Sequence, residues 1–173
     1  QRNVTQRCKE KIQRTRTVMY DEAHIRDWIR RLAVLRPELG GFAVCPYASG
    51  ASFKIIECPV NDIEPIEGFD VVIFVIEREL EPEDVEDWCE SLNTIYPDMI
   101  FLEDAAEKPS FIGEIRTNNG LYNLILMQNR DKLRKMREKL GSTQYYDYWS
   151  DNFLREVLAD DYELVQKERN NGN

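Results

Sequence analysis

Residues 71–76 (VVIFVI) constrain the fold of this chain more than any other segment. No polar residue interrupts the run, and every position except Phe74 is β-branched. β-branched side chains favour strands, and a strand with one face in water would alternate apolar and polar residues instead. The segment therefore predicts a central strand that is buried on both faces.

Helical patterns precede and follow this strand along the chain. The first predicted helix begins after an N-cap at Asp21 and ends near Leu35, with its apolar residues at helical spacing. The second has Pro82 in its first turn and ends before Pro97. Two more helices are predicted at residues 129–140 and 143–159, and further strands at 52–58, 99–102, 112–116 and 121–127, the last two joined by a hairpin turn at 117–120 (TNNG).

This order of elements predicts an α+β fold. We expect a single two-layer domain in which helices pack on a mixed β-sheet of about five strands, with a C-terminal helical pair. At 173 residues the chain is long enough to bury a core of its own. The predicted organisation is a basic N-terminal arm (1–20), the domain itself (21–160) and a polar tail (161–173) that frays.

Charge is distributed unevenly along the chain. The net charge is −9, yet residues 1–20 carry six Lys or Arg and one Glu, which is +5 and leaves −14 for the remainder. An acidic body argues against nucleic-acid binding except through residues 1–20. The arm could bind an acidic partner or pack on its own acidic body, and both interpretations stay open.

The cysteines and the histidine limit the chemistry that is available. Four cysteines (8, 45, 58 and 89) lie far apart without a C-x-x-C pair, and His24 is the only histidine. We expect reduced thiols, a cytoplasmic location, no metal site and no cofactor. No apolar run approaches the length of a membrane helix, so no membrane association is expected.

Cys45 lies in a glycine-bounded turn, residues 40–50 (GGFAVCPYASG), and is the main candidate for a catalytic residue. A thiol held by Pro46 near backbone N–H groups could have a lowered pKa and act as a nucleophile or redox centre. The alternative is a small buried hydrophobic side chain. A glutaredoxin site is disfavoured because Ala48 stands where the second cysteine is usual, and a phosphatase loop lacks its arginine.

Two short segments carry a resemblance to a known family. A Trp28-Ile29 helix leads through glycine into CPYA at residues 45–48, and TNN at 117–119 precedes Tyr122 and an apolar run. Over residues 25–140 this arrangement resembles an uncharacterised bacterial family of conserved proteins with G-L-x-x-C-P-F-A and T-N-R-x-P-Y-P-T-L-H-L-L segments. The chain departs from it at Asn119, which stands for the arginine, and it lacks the histidine. No activity is known for that family, so the resemblance implies no reaction. It implies only which positions are candidates for a functional site, and these are Cys45 and Asn118.

Polar residues near strand ends complete the predicted site. The catalytic candidates are Cys45, Asn118 and Asp104, since amide and carboxyl groups can orient a substrate or transfer a proton. The substrate-binding candidates are Tyr47, Thr117 and Tyr122.

These observations lead to two hypotheses of different functional classes. They leave open whether the protein is an enzyme. The first is a thiol-dependent enzyme in which Cys45 acts on an unidentified small substrate and has a pKa well below its usual ~8.5. The second is a non-catalytic binding or assembly protein that uses the basic arm and the acidic surface to engage protein partners, including a second copy of itself.

Overall fold

The structure is a computed structural model that describes residues 20–172. The predicted basic arm therefore lies outside the described residues, apart from Tyr20. Over residues 20–172 the helices are α1 (Glu22–Leu32), α2 (Pro82–Ile95), α3 (Arg130–Gly141), α4 (Asp151–Leu158) and α5 (Tyr162–Asn171). The strands are β1 (Phe53–Glu57), β2 (Val71–Val75), β3 (Met99–Asp104), β4 (Phe111–Ile112), β5 (Ile115–Arg116) and β6 (Leu124–Asn129).

The main sheet is mixed and has the strand order β1-β2-β6-β3. β1 runs parallel to β2, whereas β6 is antiparallel to both β2 and β3. Every residue of β2 is buried, as its apolar sequence predicts. The α+β class and the mixed sheet are confirmed, with four strands in this sheet and β4 and β5 in a separate two-stranded ribbon.

Helices cover both faces of the sheet. Val72 and Phe74 of β2 share a core with Val85 and other residues of α2. Val71 and Ile73, which alternate with them, share a second core with Trp28 and its neighbours on α1. The expected arrangement had two layers, but the described residues form helix layers on either side of the sheet. The physical reason is β2 itself, because a strand that is apolar on both faces needs a cover on each.

The predicted helix starts agree with the caps in the structure. The Asp21 side chain accepts a hydrogen bond from the Ala23 backbone N–H at the start of α1. Glu81 and Asp84 form a capping box ahead of α2, and Asn129 accepts from Lys132 N–H at the start of α3. Local capping chemistry was therefore a reliable guide to where these helices begin.

The C-terminal region differs from its prediction. The expected helix over 143–159 is interrupted, because Tyr145–Tyr148 form a 3₁₀ turn and Ser150 then caps α4. The expected polar tail of 161–173 is wrong over most of its length, since residues Tyr162–Asn171 form α5. Tyr162 and Val165 lie three residues apart on one face of α5 and are buried, which holds this helix against α3 and α4.

The predicted hairpin at residues 117–120 is also wrong. Ile115–Arg116 pairs with Phe111–Ile112, and Leu124–Asn129 pairs with β2 and β3 instead. Gly120 does adopt the left-handed conformation that an Asn-Gly turn uses, with φ +76°. The segment between β5 and β6 is nevertheless a loop whose asparagine side chains are buried.

The cysteines are not all reduced. Cys58 is disulfide-bonded, whereas Cys45 and Cys89 are free. The expectation of reduced thiols throughout is therefore wrong at Cys58; sequence spacing alone does not reveal which cysteines meet in space. No helix within residues 20–172 combines the length and the apolar character needed to cross a membrane.

Candidate functional site

A cavity of about 550 Å³ lies between the α1 side of the sheet and the C-terminal elements. The sheet contributes Val71 and Ile73, α1 contributes Trp28, and α3 contributes Leu133 and Met136. Most of the side chains around it are apolar. We call this space the Cys45 cavity, because the Cys45 turn forms part of its wall.

The Cys45 turn is held in place from both sides. Cys45 N–H donates to Leu32 O at the end of α1 (2.9 Å), and Ala48 N–H donates to Cys45 O (3.1 Å). The Tyr145 hydroxyl donates to Val44 O from the C-terminal 3₁₀ turn. Ala43, Val44 and Ala48 are buried, so the turn is anchored while the Cys45 side chain stays exposed.

The Cys45 thiol is accessible and poorly solvated at the same time. Its exposed surface belongs to the wall of the cavity, and the surrounding protein desolvates the sulfur. This burial raises the pKa of the Cys45 thiol, and hydrogen bonds from the Tyr47 and Ala48 backbone only partly oppose it. The direction is opposite to the lowered pKa expected of a nucleophilic thiol.

His24, the single histidine, is engaged in another part of the structure. Its Nε2 lies 3.2 Å from Asn119 O, and its ring packs edge-on against Tyr122 with centroids 5.6 Å apart. His24 does not line the Cys45 cavity. The described residues therefore provide no Cys–His pair of the kind that activates thiol nucleophiles.

Charged groups at the cavity are already paired. Asp70 accepts from the backbone and hydroxyl of Ser52 and lies 3.9 Å from the exposed Lys132 Nζ. These hydrogen bonds hold the pKa of Asp70 below its usual value. Arg137, which also lines the cavity, is buried in an ion pair with Asp161 (3.0 Å). The cavity thus presents an apolar interior with compensated charges around it.

Asn118 lies outside this cavity. Its Oδ1 accepts from Arg116 Nε at 2.6 Å, and its Nδ2 donates to Ala105 O (3.2 Å) and Ala106 O (3.4 Å). The amide is therefore occupied by contacts within the protein. Asn118 lines a separate cavity of about 230 Å³, which shares Trp28, Leu32 and Val44 with the Cys45 cavity.

Asp104 lies at the end of β3 and bonds to the same loop. Its Oδ2 accepts from the Asn119 backbone N–H at 2.9 Å and from the Asn119 side-chain amide. Desolvation raises the pKa of Asp104 to about 6, with a smaller contribution from Glu103, while the Asn119 hydrogen bonds and Arg116 oppose the rise. Such a pKa suits proton transfer near neutrality, but Asp104 lines neither of the two cavities.

The substrate-binding candidates are divided between the cavity and this loop. Tyr47 lines the Cys45 cavity. Thr117 O accepts from Trp28 Nε1 (2.8 Å), and the Tyr122 hydroxyl accepts from Asp21 N–H (2.8 Å), so both residues tie the loop to α1. The structure therefore brings Cys45 and Tyr47 together and separates them from Asn118, Asp104, Thr117 and Tyr122.

Sequence reasoning missed several residues at these cavities. Trp28 is an apolar residue of the first predicted helix and was not named as a site candidate, yet it lines both spaces. Arg31 and Arg36 also line the smaller cavity. Their sequence context gives no signal of a site, because single arginines near a helix end are common on protein surfaces. No local sequence pattern predicts that Arg31 and Arg36 lie near Arg116, which is at least 80 residues away in the sequence.

Comparisons with known protein families, with curated proteins and with solved structures find no match to this chain. The resemblance to the uncharacterised bacterial family therefore stays a prediction, carried by the quoted segments alone. Among residues 20–172, no cluster of three or more His, Cys, Asp or Glu side chains has a geometry that could hold a metal ion.

Proposed function

We propose that this domain binds a small, mostly apolar molecule in the Cys45 cavity. The observation that carries the proposal is the cavity itself: about 550 Å³, walled largely by apolar side chains of the sheet, α1 and α3. Small-molecule sites in proteins typically have volumes of roughly 300–1,000 Å³ and this kind of lining. Cys45 and Tyr47 belong to its wall and would contact the bound molecule.

A thiol-dependent reaction is the narrower form of this proposal. Cys45 can reach a molecule in the cavity, which supports a role in chemistry. Its raised pKa keeps the thiol protonated at neutral pH, which favours binding over nucleophilic catalysis in the absence of a bound substrate. Asn118 and Asp104 would have to act from outside the Cys45 cavity, and their roles remain predictions.

The binding experiment uses a neutral fluorescent probe, N-phenyl-1-naphthylamine, titrated into the purified protein. We expect saturable binding to the native chain and at least a ten-fold weaker affinity in Ala51→Leu, because Ala51 lines the cavity and a larger side chain would occupy it. Ala23→Leu, on the exposed surface of α1, is the matched control and should leave the affinity unchanged. Absence of saturable binding, or equal affinity in Ala51→Leu, would contradict the proposal.

The chemical experiment measures alkylation by iodoacetamide as a function of pH. Cys45 should react faster than Cys89, because Cys45 is exposed whereas Cys89 is buried with a raised pKa. An inflection in the Cys45 rate above about 8.5 supports a binding function, and one below that value supports the thiol-dependent enzyme. If Cys45 reacts no faster than Cys89, the enzyme hypothesis should be abandoned.

The second predicted function, a binding or assembly protein that acts through residues 1–20, remains a prediction because the arm lies outside the described residues. Removal of the arm should abolish any such association and leave the fold intact. The cytoplasmic location is likewise a prediction, and the disulfide at Cys58 weighs against it, because disulfides persist mainly in oxidising compartments.

A further inference from the structure

The smaller cavity, of about 230 Å³, has a basic lining. Arg31, Arg36 and Arg116 line it, and no Asp or Glu of the described residues does. We call it the arginine cavity. Three positive charges around one small space are unexpected in a chain of net charge −9, where acidic partners are abundant.

Among the described arginines, six have carboxylate partners and five do not: Arg78 and Arg130, which lie elsewhere, and the three at this cavity. Within residues 20–172, ion pairs form at other arginines: Arg26, Arg30, Arg134, Arg137, Arg155 and Arg169. No ion pair to the described carboxylates is found for Arg31, Arg36 or Arg116 at salt-bridge distance. In addition, Arg36 Nε is buried without a hydrogen-bond partner. A buried donor without an acceptor costs free energy, and a bound anion would supply the missing acceptor.

Arg116 is held in a defined position. Its Nε donates to Asn118 Oδ1 at 2.6 Å, and Asn118 is fixed in turn by two backbone carbonyls. Gly120 leaves space for the guanidinium, since a Cβ built there would lie 3.0 Å from Arg116 Nη2. Arg116 is near enough to Asp104 to lower the pKa of that carboxyl, but Asp104 bonds to Asn119 and does not line the cavity.

Arg31 and Arg36 reach the cavity from separate backbone segments. Arg31 belongs to the last turn of α1. Arg36 precedes a tight turn in which its N–H donates to Phe42 O (3.1 Å) and its carbonyl accepts from Gly41 N–H (2.9 Å). Because these backbone segments are ordered by their own hydrogen bonds, a ligand would have to order only the side chains, of which Arg31 and Arg116 are exposed and Arg36 is half-buried.

We propose that the arginine cavity binds the phosphate group of a small phosphorylated molecule. A phosphate monoester carries close to two negative charges and several acceptor oxygens, which suits three guanidinium forks better than a monocarboxylate does. The volume accommodates the phosphate and a small attached part. This proposal is independent of the function proposed for the Cys45 cavity, because it depends on different polar groups.

The test is isothermal titration calorimetry at fixed pH and ionic strength, with methyl phosphate, inorganic phosphate and acetate as probes. We expect methyl phosphate to bind at least as tightly as inorganic phosphate and at least ten-fold more tightly than acetate. Equal binding of acetate, binding of inorganic phosphate alone, or no binding of any probe would overturn the proposal.

Variants distinguish specific phosphate binding in the arginine cavity from general electrostatic attraction to the protein surface. Arg36→Gln and Arg116→Gln should each weaken methyl phosphate binding at least ten-fold, and Arg116→Lys should retain part of it because the charge remains without the fork. Arg30→Gln is the control, since Arg30 is exposed on the same helix as Arg31 and pairs with Asp27. Far-UV circular dichroism checks that each variant is folded. If Arg30→Gln weakens binding as much as Arg36→Gln and Arg116→Gln do, the proposal is wrong.

Discussion

A buried ion pair joins Arg137, which lines the Cys45 cavity, to Asp161. Arg137 lies on α3 and lines the cavity, while Asp161 lies in the turn before α5. Arg137 Nη1 is 3.0 Å from Asp161 Oδ2, and both side chains are only 6% exposed. Arg137 Nη2 also donates to Val157 O at 3.0 Å, so one guanidinium joins three C-terminal segments.

Asp161→Ala should therefore destabilise the protein strongly. Breaking a buried pair leaves an uncompensated charge, which costs roughly 3–5 kcal/mol. For a chain of this size each kcal/mol lowers the melting temperature by about 2–4 °C, so we expect a decrease of about 10 °C. Asp161 also bonds Arg134, but that side chain is 45% exposed and its interaction adds little.

Urea unfolding followed by circular dichroism measures this free energy. The double variant Arg137→Met/Asp161→Leu should lose less stability than Asp161→Ala, because it removes both charges from the interior. Asp27→Ala, which breaks an ion pair whose side chains are 69% and 63% exposed, is the control and should cost less than about 1 kcal/mol. A loss below about 1 kcal/mol in Asp161→Ala, or an equal loss in the double variant, would refute the reasoning.

Three further predictions concern residues 104–123, from the end of β3 to the residue before β6. Burial raises the pKa of Asp104 from 3.8 to about 6, so its ionisation destabilises the fold as pH rises through about 6. In urea titrations the free energy of unfolding of Asp104→Asn should exceed that of the native chain by up to roughly 3 kcal/mol at pH 8, and by progressively less below pH 6. The same pH dependence in both proteins would contradict this prediction. Asn123→Ala should cost about 1–3 kcal/mol, because Asn123 accepts from Ala106 N–H and donates to Glu77 O and Leu80 O, and thermal unfolding with no loss would contradict this. Gly120→Ala should weaken phosphate binding in calorimetry, since φ is +76° and the new Cβ would press on Arg116; unchanged affinity would show that the position of Arg116 does not matter.

The elements that sequence reasoning located correctly are those with strong local signals. α1, α2 and α3 begin within one residue of their predicted starts, and β2 has the burial that its apolar run predicts. The hairpin at residues 117–120 failed because an Asn-Gly pair selects a backbone conformation and not the partner of the next strand. The predicted site failed for a similar reason. Cys45 and Asn118 line two adjacent cavities instead of one, and no local sequence signal predicts that separation.

Local chemistry in the chain was enough to establish its class, its central strand, most of its helix starts and the turn that carries Cys45. These features depend on side-chain periodicity, caps and the conformational preferences of Gly and Pro, all of which act within a few residues. Tertiary structure alone decided the two helix-covered faces, the disulfide at Cys58, the raised pKa of Cys45 and the convergence of Arg31, Arg36 and Arg116. Each of these depends on groups far apart in the sequence, because burial and charge proximity are properties of the packed chain.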